Sequence, residues 1–149
     1  MGKQDALKLV ENRLSMYRQI KRAVAEYRAD CNCNGKSGGD GIAYKADPTA
    51  NKAIKNLTPI SKLTITTEKG EVITVNRPDL WLNVAETTFE HFDDVIMRKV
   101  MIYKFIYHGG YTHTCKRLKI NKSKYYSLLD KILWFAVSYA CQLGLLKVK

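Results

Sequence analysis

The sequence predicts a mainly α-helical protein with a small β-hairpin, a long N-terminal helix and a helix-turn-helix over residues 110–143. Three observations support this fold class. Apolar residues recur at helical spacing along most of the chain, and two short segments rich in β-branched residues flank a glycine. Near the C-terminal end, two amphipathic segments are separated by a tight polar turn. The 149 residues, 46% of them hydrophobic, suffice for one compact domain or a small domain with an appendage.

Positive charge is concentrated in the last third of the chain. Residues 1–94 carry 14 Lys/Arg and 13 Asp/Glu, a net charge of +1, whereas residues 95–149 carry 11 Lys/Arg and one Asp/Glu, a net charge of +10. Such a block attracts a polyanion, because cationic side chains release the counterions condensed on phosphates. A plain solvated surface or contact with an anionic membrane would also produce a basic segment. A membrane-surface helix would carry apolar residues opposite its bases and no turn, so the pattern favours nucleic acid.

Neither membrane insertion nor export is predicted. No apolar run approaches the roughly 18 residues of a transmembrane helix, and the charged N-terminus lacks the apolar core of a secretory signal. We therefore expect a cytoplasmic protein with no membrane partner. The four cysteines are then expected to be reduced thiols. They are Cys31, Cys33, Cys115 and Cys141.

The chain divides into three predicted parts: an N-terminal helix over residues 1–30, a Gly-rich linker with a short helix over 31–60, and a hairpin with a helical DNA-binding domain over 61–149. Within the first part, the pattern over residues 5–27 predicts one amphipathic helix. Its apolar positions fall at spacings of three, four or seven. They are Leu7, Val10, Leu14, Tyr17, Val24 and Tyr27. The narrow stripe suits a homodimer contact or packing against the rest of the chain, and the sequence leaves both open.

The linker begins as a glycine-rich loop over residues 31–41. Its Gly35-Lys36-Ser37 resembles the end of a phosphate-binding loop, but Asp30 stands where the first glycine of that motif belongs. Cys31 and Cys33 are separated by one residue, and no second Cys/His pair completes a zinc site. We predict no metal and no nucleotide here. Asp47-Pro48 then favours a short helix over residues 48–56.

A hairpin and a long helix follow. Residues 63–67 and 71–75 are rich in β-branched residues, with a turn at Glu68-Lys69-Gly70 between them, which predicts two antiparallel strands. Two strands alone are marginal in water, so the hairpin must pack on another element. Helical periodicity then runs through residues 81–106 and predicts one continuous helix that ends at His108-Gly109-Gly110.

The segment after Gly110 predicts two helices joined by a tight turn. The first covers residues 111–118, with Tyr111, Cys115 and Leu118 facing inward. Residues 119–121 form the turn, and Asn121 is the N-cap of the second helix, which Gly144 ends. This second helix is expected to bury an apolar stripe. Its members are Tyr125, Leu128, Leu129 and Ile132.

This arrangement leaves an outward face for DNA. The first turns of a second helix of this kind enter the major groove, where lysine and serine bond base edges and tyrosine contacts a phosphate or a thymine methyl. The predicted base-reading residues are Lys122, Ser123, Tyr126 and Ser127. The flanking cations are assigned to backbone phosphates, which fix register without reading sequence. They are Lys116, Arg117, Lys119, Lys124 and Lys131.

The chain resembles the small phage late-gene activators of the ArpU/RinA type, whose C-terminal part is similar to region 4 of bacterial sigma factors. The matching features are a Tyr/Arg-rich first helix, Asp47-Pro48-Thr49 after a Gly-rich loop, residues 77–81 (Arg-Pro-Asp-Leu-Trp) before a long helix, and residues 118–129 at the end. The resemblance implies that residues 121–126 open a recognition helix. It also implies transcriptional regulation in a bacterial host cell, activation of late genes, and contact with host RNA polymerase. Sigma-like versions carry an apolar residue near Thr114, where this chain is polar.

An enzyme is the first alternative. His91 together with Glu90, Asp93 and Asp94 imitates an acid–base or metal cluster. No spacing among them fits a known ligand pattern, and we expect them on the solvated side of the long helix. The sequence therefore predicts no catalytic residues, no metal and no cofactor.

Two further alternatives are binding functions. A phage small terminase subunit also combines a helix-turn-helix with an oligomerising element, and ring assembly would favour it. A monomer or dimer that recruits RNA polymerase would favour an activator. RNA binding is the last alternative, but the aromatic residues fall at core spacing and leave no expected platform for stacking single-stranded bases.

Overall fold

The computed structural model describes residues 1–33 and 59–149. In these residues the protein is mainly helical with one two-stranded antiparallel sheet, which confirms the predicted fold class at that level. The elements in chain order are α1 (Lys3–Ser15), α2 (Tyr17–Cys33), β1 (Lys62–Thr66), β2 (Val72–Asn76), α3 (Pro78–His91), α4 (Val95–Met101), a π-helical turn π1 (Ile102–Ile106), α5 (Tyr111–Leu118) and α6 (Lys122–Gln142). Most of the predicted Gly-rich loop and the predicted helix over residues 48–56 lie outside the described residues.

The chain forms two compact units. The helical unit consists of Met1–Arg18 and Leu80–Lys149, and the hairpin unit consists of Gln19–Asp79. One boundary between them falls near the start of α2 and the other near the start of α3.

The predicted N-terminal helix is interrupted at one residue. Met16 leaves helical geometry with ψ near 4° and separates α1 from α2, although its N–H still bonds to the carbonyl of Asn12 at 3.0 Å. No glycine or proline marks the break, so the apolar periodicity runs through it. Helix α2 also continues to Cys33, three residues into the segment predicted as a loop.

The hairpin unit confirms both predicted strands to within one residue. Leu63 pairs with Val75 and Ile65 with Ile73, so the apolar side chains of both strands share one face. Residues 67–71 close the turn, with Gly70 at φ 81° in the left-handed region. Asp79 connects α2 to the segment before β1. Its carboxylate binds Arg28 of α2 at 2.9 Å and accepts the backbone N–H of Ile60 at 3.1 Å.

The predicted continuous helix over residues 81–106 is wrong, because the structure divides it. Helix α3 ends at His91, and the Asp94 carboxylate caps α4 by accepting N–H groups of Ile96 at 2.7 Å and Met97 at 3.3 Å. Aspartate favours this capping role over a helix interior, which explains why the helix restarts there. Beyond α4 the chain widens into π1, a geometry that apolar periodicity does not signal.

The core of the helical unit forms around α6. Helices α1, α4 and α5 all pack on α6, and α1 also contacts π1, where Glu11 and Lys104 form an ion pair of 2.8 Å. The fully buried side chains of this core come from α3 and from every one of these elements. They include Val10, Leu14, Val84, Val100, Phe105, Thr114, Tyr125 and Ile132. Helix α6 is therefore held along one side by the rest of its unit.

Candidate nucleic-acid-binding surface

Helices α5 and α6 are joined by a turn of three residues, with the predicted bounds. Lys119 ends α5 in the left-handed conformation, at φ 55° and ψ 43°, and the N–H of Ile120 returns to the carbonyl of Cys115 at 3.2 Å. Asn121 then caps α6, because its side-chain oxygen accepts the N–H of Lys124 at 2.7 Å. The left-handed residue ends α5, and the N-cap two residues later begins α6, so the two helices are separated by a tight turn.

Helix α6 separates a buried stripe from an exposed one over its first three turns. The predicted inward residues Tyr125, Leu128, Leu129 and Ile132 are all buried, at 8% exposure or less. The four predicted base-reading residues are all exposed. They are Lys122, Ser123, Tyr126 and Ser127. The structure therefore brings the four together on the outer side of the first two turns of α6.

The five predicted phosphate-contacting cations are also exposed. They lie at the end of α5, in the turn, and on α6, and they are Lys116, Arg117, Lys119, Lys124 and Lys131. Within residues 1–33 and 59–149, none of them forms an ion pair with a carboxylate. Their charge is therefore not neutralised by a carboxylate of the described chain, which leaves it available to an anionic partner.

Two tyrosine rings hold the first lysine of α6. The ammonium group of Lys122 lies 5.2 Å from the ring centroid of Tyr111 and 6.0 Å from that of Tyr126. The two rings are themselves 5.9 Å apart. Cation–π attraction at these distances favours a restricted set of lysine conformations.

The predicted inward face of α5 is wrong at Tyr111, which is exposed, and it omits Thr114, which is buried. Tyr111 is 41% exposed, and Cys115 and Leu118 are only half-buried, whereas Thr114 has no exposed surface. Thr114 can occupy this core position because its hydroxyl donates to the carbonyl of Gly110 at 3.1 Å, within its own helix. Thr114 is thus the buried position of α5. Tyr111 is the surface residue that the sequence pattern missed.

The residues that imitate an acid–base cluster have other roles in the structure. The imidazole of His91 stacks on the ring of Phe135, with centroids 3.8 Å apart and planes 11° apart. Asp94 caps α4, and Asp93 contacts Arg98 at 3.4 Å. In the described ranges, no three or more His, Cys, Asp or Glu side chains come together where they could hold a metal ion.

An apolar groove of about 270 Å³ lies elsewhere on the helical unit. Its lining residues are Phe89, Glu90, Arg98, Met101, Ile102 and Ile106. The Arg98 guanidinium is already bonded to the carbonyl of Phe92 at 2.7 Å. The lining contains no histidine, cysteine or hydroxyl group that could act as a nucleophile beside Glu90.

Among known proteins, no family model, curated protein or solved structure matches this chain. Among the described helices, none is long and apolar enough to span a bilayer.

Proposed function

We propose that this protein binds double-stranded DNA sequence-specifically, with α5 and α6 as a helix-turn-helix, and that it regulates transcription by binding rather than by catalysis. One observation carries the proposal. Lys122, Ser123, Tyr126 and Ser127 project together from the first two turns of α6, next to five exposed cations. Basic and hydrogen-bonding side chains at the start of a second helix are what major-groove reading requires.

The dimensions support this mode of binding. An α-helix is about 10–12 Å across with its side chains, and the major groove is about 12 Å wide, so the groove admits α6. The opposite side of the same turns is anchored in the core by Tyr125 and Leu128. A reading helix fixed in this way presents its side chains without having to fold on binding.

The cations define the expected salt dependence. If the five flanking side chains each neutralise one phosphate, log K should fall with log salt at a slope of about −4.5, or roughly 500-fold between 50 and 200 mM salt. Lysine and arginine at phosphates supply affinity for every duplex, whereas contacts at base edges supply preference among duplexes. Replacing a phosphate-contacting residue should therefore weaken binding to every duplex, and replacing a base-reading residue should reduce preference among duplexes.

The biological setting follows from the resemblance to the ArpU/RinA-type activators. On that basis the DNA is a promoter region of phage late genes in a bacterial cytoplasm, the outcome is activation, and host RNA polymerase is a partner. The exposed Tyr27 of α2 agrees with an N-terminal surface open to a partner protein or a second copy.

The test is fluorescence anisotropy on random and phage-derived duplexes across a salt series. Lys116→Ala should weaken binding to all duplexes alike and lower the salt slope by about 0.9. Lys122→Ala and Tyr126→Ala should erase preference for the best duplex, by about 1–3 kcal/mol for Lys122, with little change for random DNA.

Lys8→Ala is the matched control, because Lys8 is an exposed lysine of α1 outside the proposed surface. The duplex affinity of Lys8→Ala should differ from that of wild type only by the small effect of one charge outside the proposed surface. Absence of duplex binding at low salt would overturn the proposal. So would a Lys8→Ala effect as large as that of Lys116→Ala.

A further inference from the structure

Lys122 forms a cation–π contact with Tyr111 of the preceding helix. Its ammonium lies closer to the ring of Tyr111 on α5, at 5.2 Å, than to that of Tyr126 on its own helix, at 6.0 Å. A free lysine side chain samples many rotamers, and Lys122 stands at the exposed start of α6 with no carboxylate partner among the described residues. Attraction of the ammonium group to the two rings therefore restricts where its charge can lie.

The ring of Tyr111 is itself positioned from the core. Its centroid lies 6.5 Å from that of Tyr125, which is 2% exposed, and 5.9 Å from that of Tyr126. Tyr125 and Tyr126 are in turn 5.2 Å apart, edge to face. A connected set of rings thus runs from the packed interior to the lysine ammonium.

The chemistry of the ammonium group selects one kind of base. Lysine offers only donors. In the major groove, guanine presents two adjacent acceptors, O6 and N7, whereas adenine pairs its N7 acceptor with an N6 donor, which would oppose an ammonium group. A lysine held in a fixed direction at the base edges is therefore best matched by guanine.

We propose that Lys122 reads a guanine and that Tyr111 is a positioning residue for it. This inference rests on the proposed DNA-binding function and adds to it the identity of the base and a residue on α5. Tyr111 acts through Lys122 and needs no contact with the DNA. Loss of the ring lets the Lys122 ammonium sample other directions, so base preference falls while affinity for random DNA is kept.

The experiment begins with selection of the preferred duplex from a randomised pool by wild-type protein. The position at which Lys122→Ala loses preference is then identified. Binding is measured to this duplex with guanine and with 7-deazaguanine at that position, for wild type, Tyr111→Phe and Tyr111→Leu. Wild type should discriminate by about tenfold. Tyr111→Phe, which keeps a ring face, should retain this ratio, and Tyr111→Leu should reduce it to about twofold with an unchanged salt slope.

A second measurement follows the lysine without DNA. The Hε protons of Lys122 should show upfield ring-current shifts in wild type and Tyr111→Phe, and smaller ones in Tyr111→Leu, in samples with matching circular dichroism. A Tyr111→Leu variant that keeps full discrimination overturns the positioning role while leaving the proposed function intact. If the position at which Lys122→Ala loses preference holds a base other than guanine, the base assignment is overturned. Failure of wild type to bind any duplex overturns both the function and this inference.

Discussion

The side-chain oxygen of Asn121 accepts a 2.7 Å hydrogen bond from the backbone N–H of Lys124. The bond satisfies one of the N–H groups that the first turn of a helix leaves without a partner inside the helix. Lys122 and Ser123 lie between these two residues. The same contact therefore stabilises α6 and fixes the turn that carries the proposed base-reading side chains.

Two replacements of Asn121 should show whether its side chain stabilises α6 as an N-cap. Asn121→Ala is expected to lower the free energy of unfolding by about 1 kcal/mol, because the first turn of α6 loses its cap, whereas Asn121→Ser should keep most of the stability. Urea denaturation measures both. Lys131→Ala, an exposed change on the same helix, should stay within about 0.5 kcal/mol of wild type. Equal stability of Asn121→Ala and wild type would contradict the capping role.

Lys119 allows stability and binding to be changed in opposite directions. Its φ of 55° is unfavourable for any side chain with a Cβ but not for glycine. Lys119→Gly should therefore keep or raise the free energy of unfolding, by up to about 1 kcal/mol, since α5 gains a favoured C-terminal residue. It should also weaken binding to all duplexes, because it removes one of the proposed phosphate contacts. A variant that loses stability would show that the lysine side chain matters to the turn itself.

Thr114 should accept an apolar replacement of similar shape and reject a larger one. Its hydroxyl donates to the carbonyl of Gly110, which also accepts the backbone N–H of Thr114 at 3.2 Å. Thr114→Val is thus expected to stay within about 1 kcal/mol of wild type. Thr114→Leu should cost about 1–3 kcal/mol because the site has no exposed surface to expand into. Thermal unfolding of the two variants side by side gives the comparison, and the reverse order would place Thr114 outside the core.

Alkaline pH should weaken the fold through Tyr125. Burial, followed by the charges of Tyr126, Cys115 and Glu11, raises the pKa of Tyr125 to about 12. In the unfolded chain a tyrosine titrates near pH 10, so between about pH 10 and 12 the unfolded state loses its proton first. The free energy of unfolding should not depend on this group below pH 10 and should fall above it.

Tyr125→Phe supplies the comparison for this pH dependence, because it keeps the ring and removes the titrating hydroxyl. Urea denaturation of both proteins at pH 8, 10 and 11 cancels the contributions of the lysines that they share. The wild-type free energy should fall more steeply above pH 10. Parallel curves would mean that the hydroxyl of Tyr125 is solvated in the folded protein.

Asp79 should control the integrity of the hairpin unit. Its two carboxylate oxygens bind Arg28 at 2.9 Å and the N–H of Ile60 at 3.1 Å. Asp79→Ala is expected to cost about 1–2 kcal/mol, since both contacts are lost and the pair is partly exposed. Asp79→Asn keeps an acceptor for Ile60 and should cost less. Hydrogen exchange at the Ile60 amide should accelerate in Asp79→Ala, and an unchanged rate would mean that this carboxylate does not stabilise the unit.

The sequence predicts best where one local signal decides the structure. Asn121 and the glycines before Tyr111 locate both ends of α5 and the start of α6, because capping preferences act over one or two residues. Gly70 between β-branched segments does the same for the hairpin. The exposure of Lys122 and its neighbours follows from the same periodicity that buries Tyr125.

Prediction fails where neighbours in space override the local pattern. Apolar spacing continues across Phe92 to Asp94, so it conceals a break that depends on the Asp94 cap. Tyr111 looks like a core residue in a short helix, yet Thr114 takes the interior position by bonding within the helix. The contact between Tyr111 and Lys122 joins two helices, and no spacing rule within one helix reveals it.

Helix α6 carries its packing residues and its proposed reading residues on opposite sides. Ser123 and Ser127 are exposed, whereas Ile132 is buried and lies outside the proposed DNA-binding surface. The proposed preference for a DNA sequence and the stability of the fold can accordingly be altered independently. If the proposed function holds, exchange of the exposed side chains alone would give the same fold a different preferred DNA sequence.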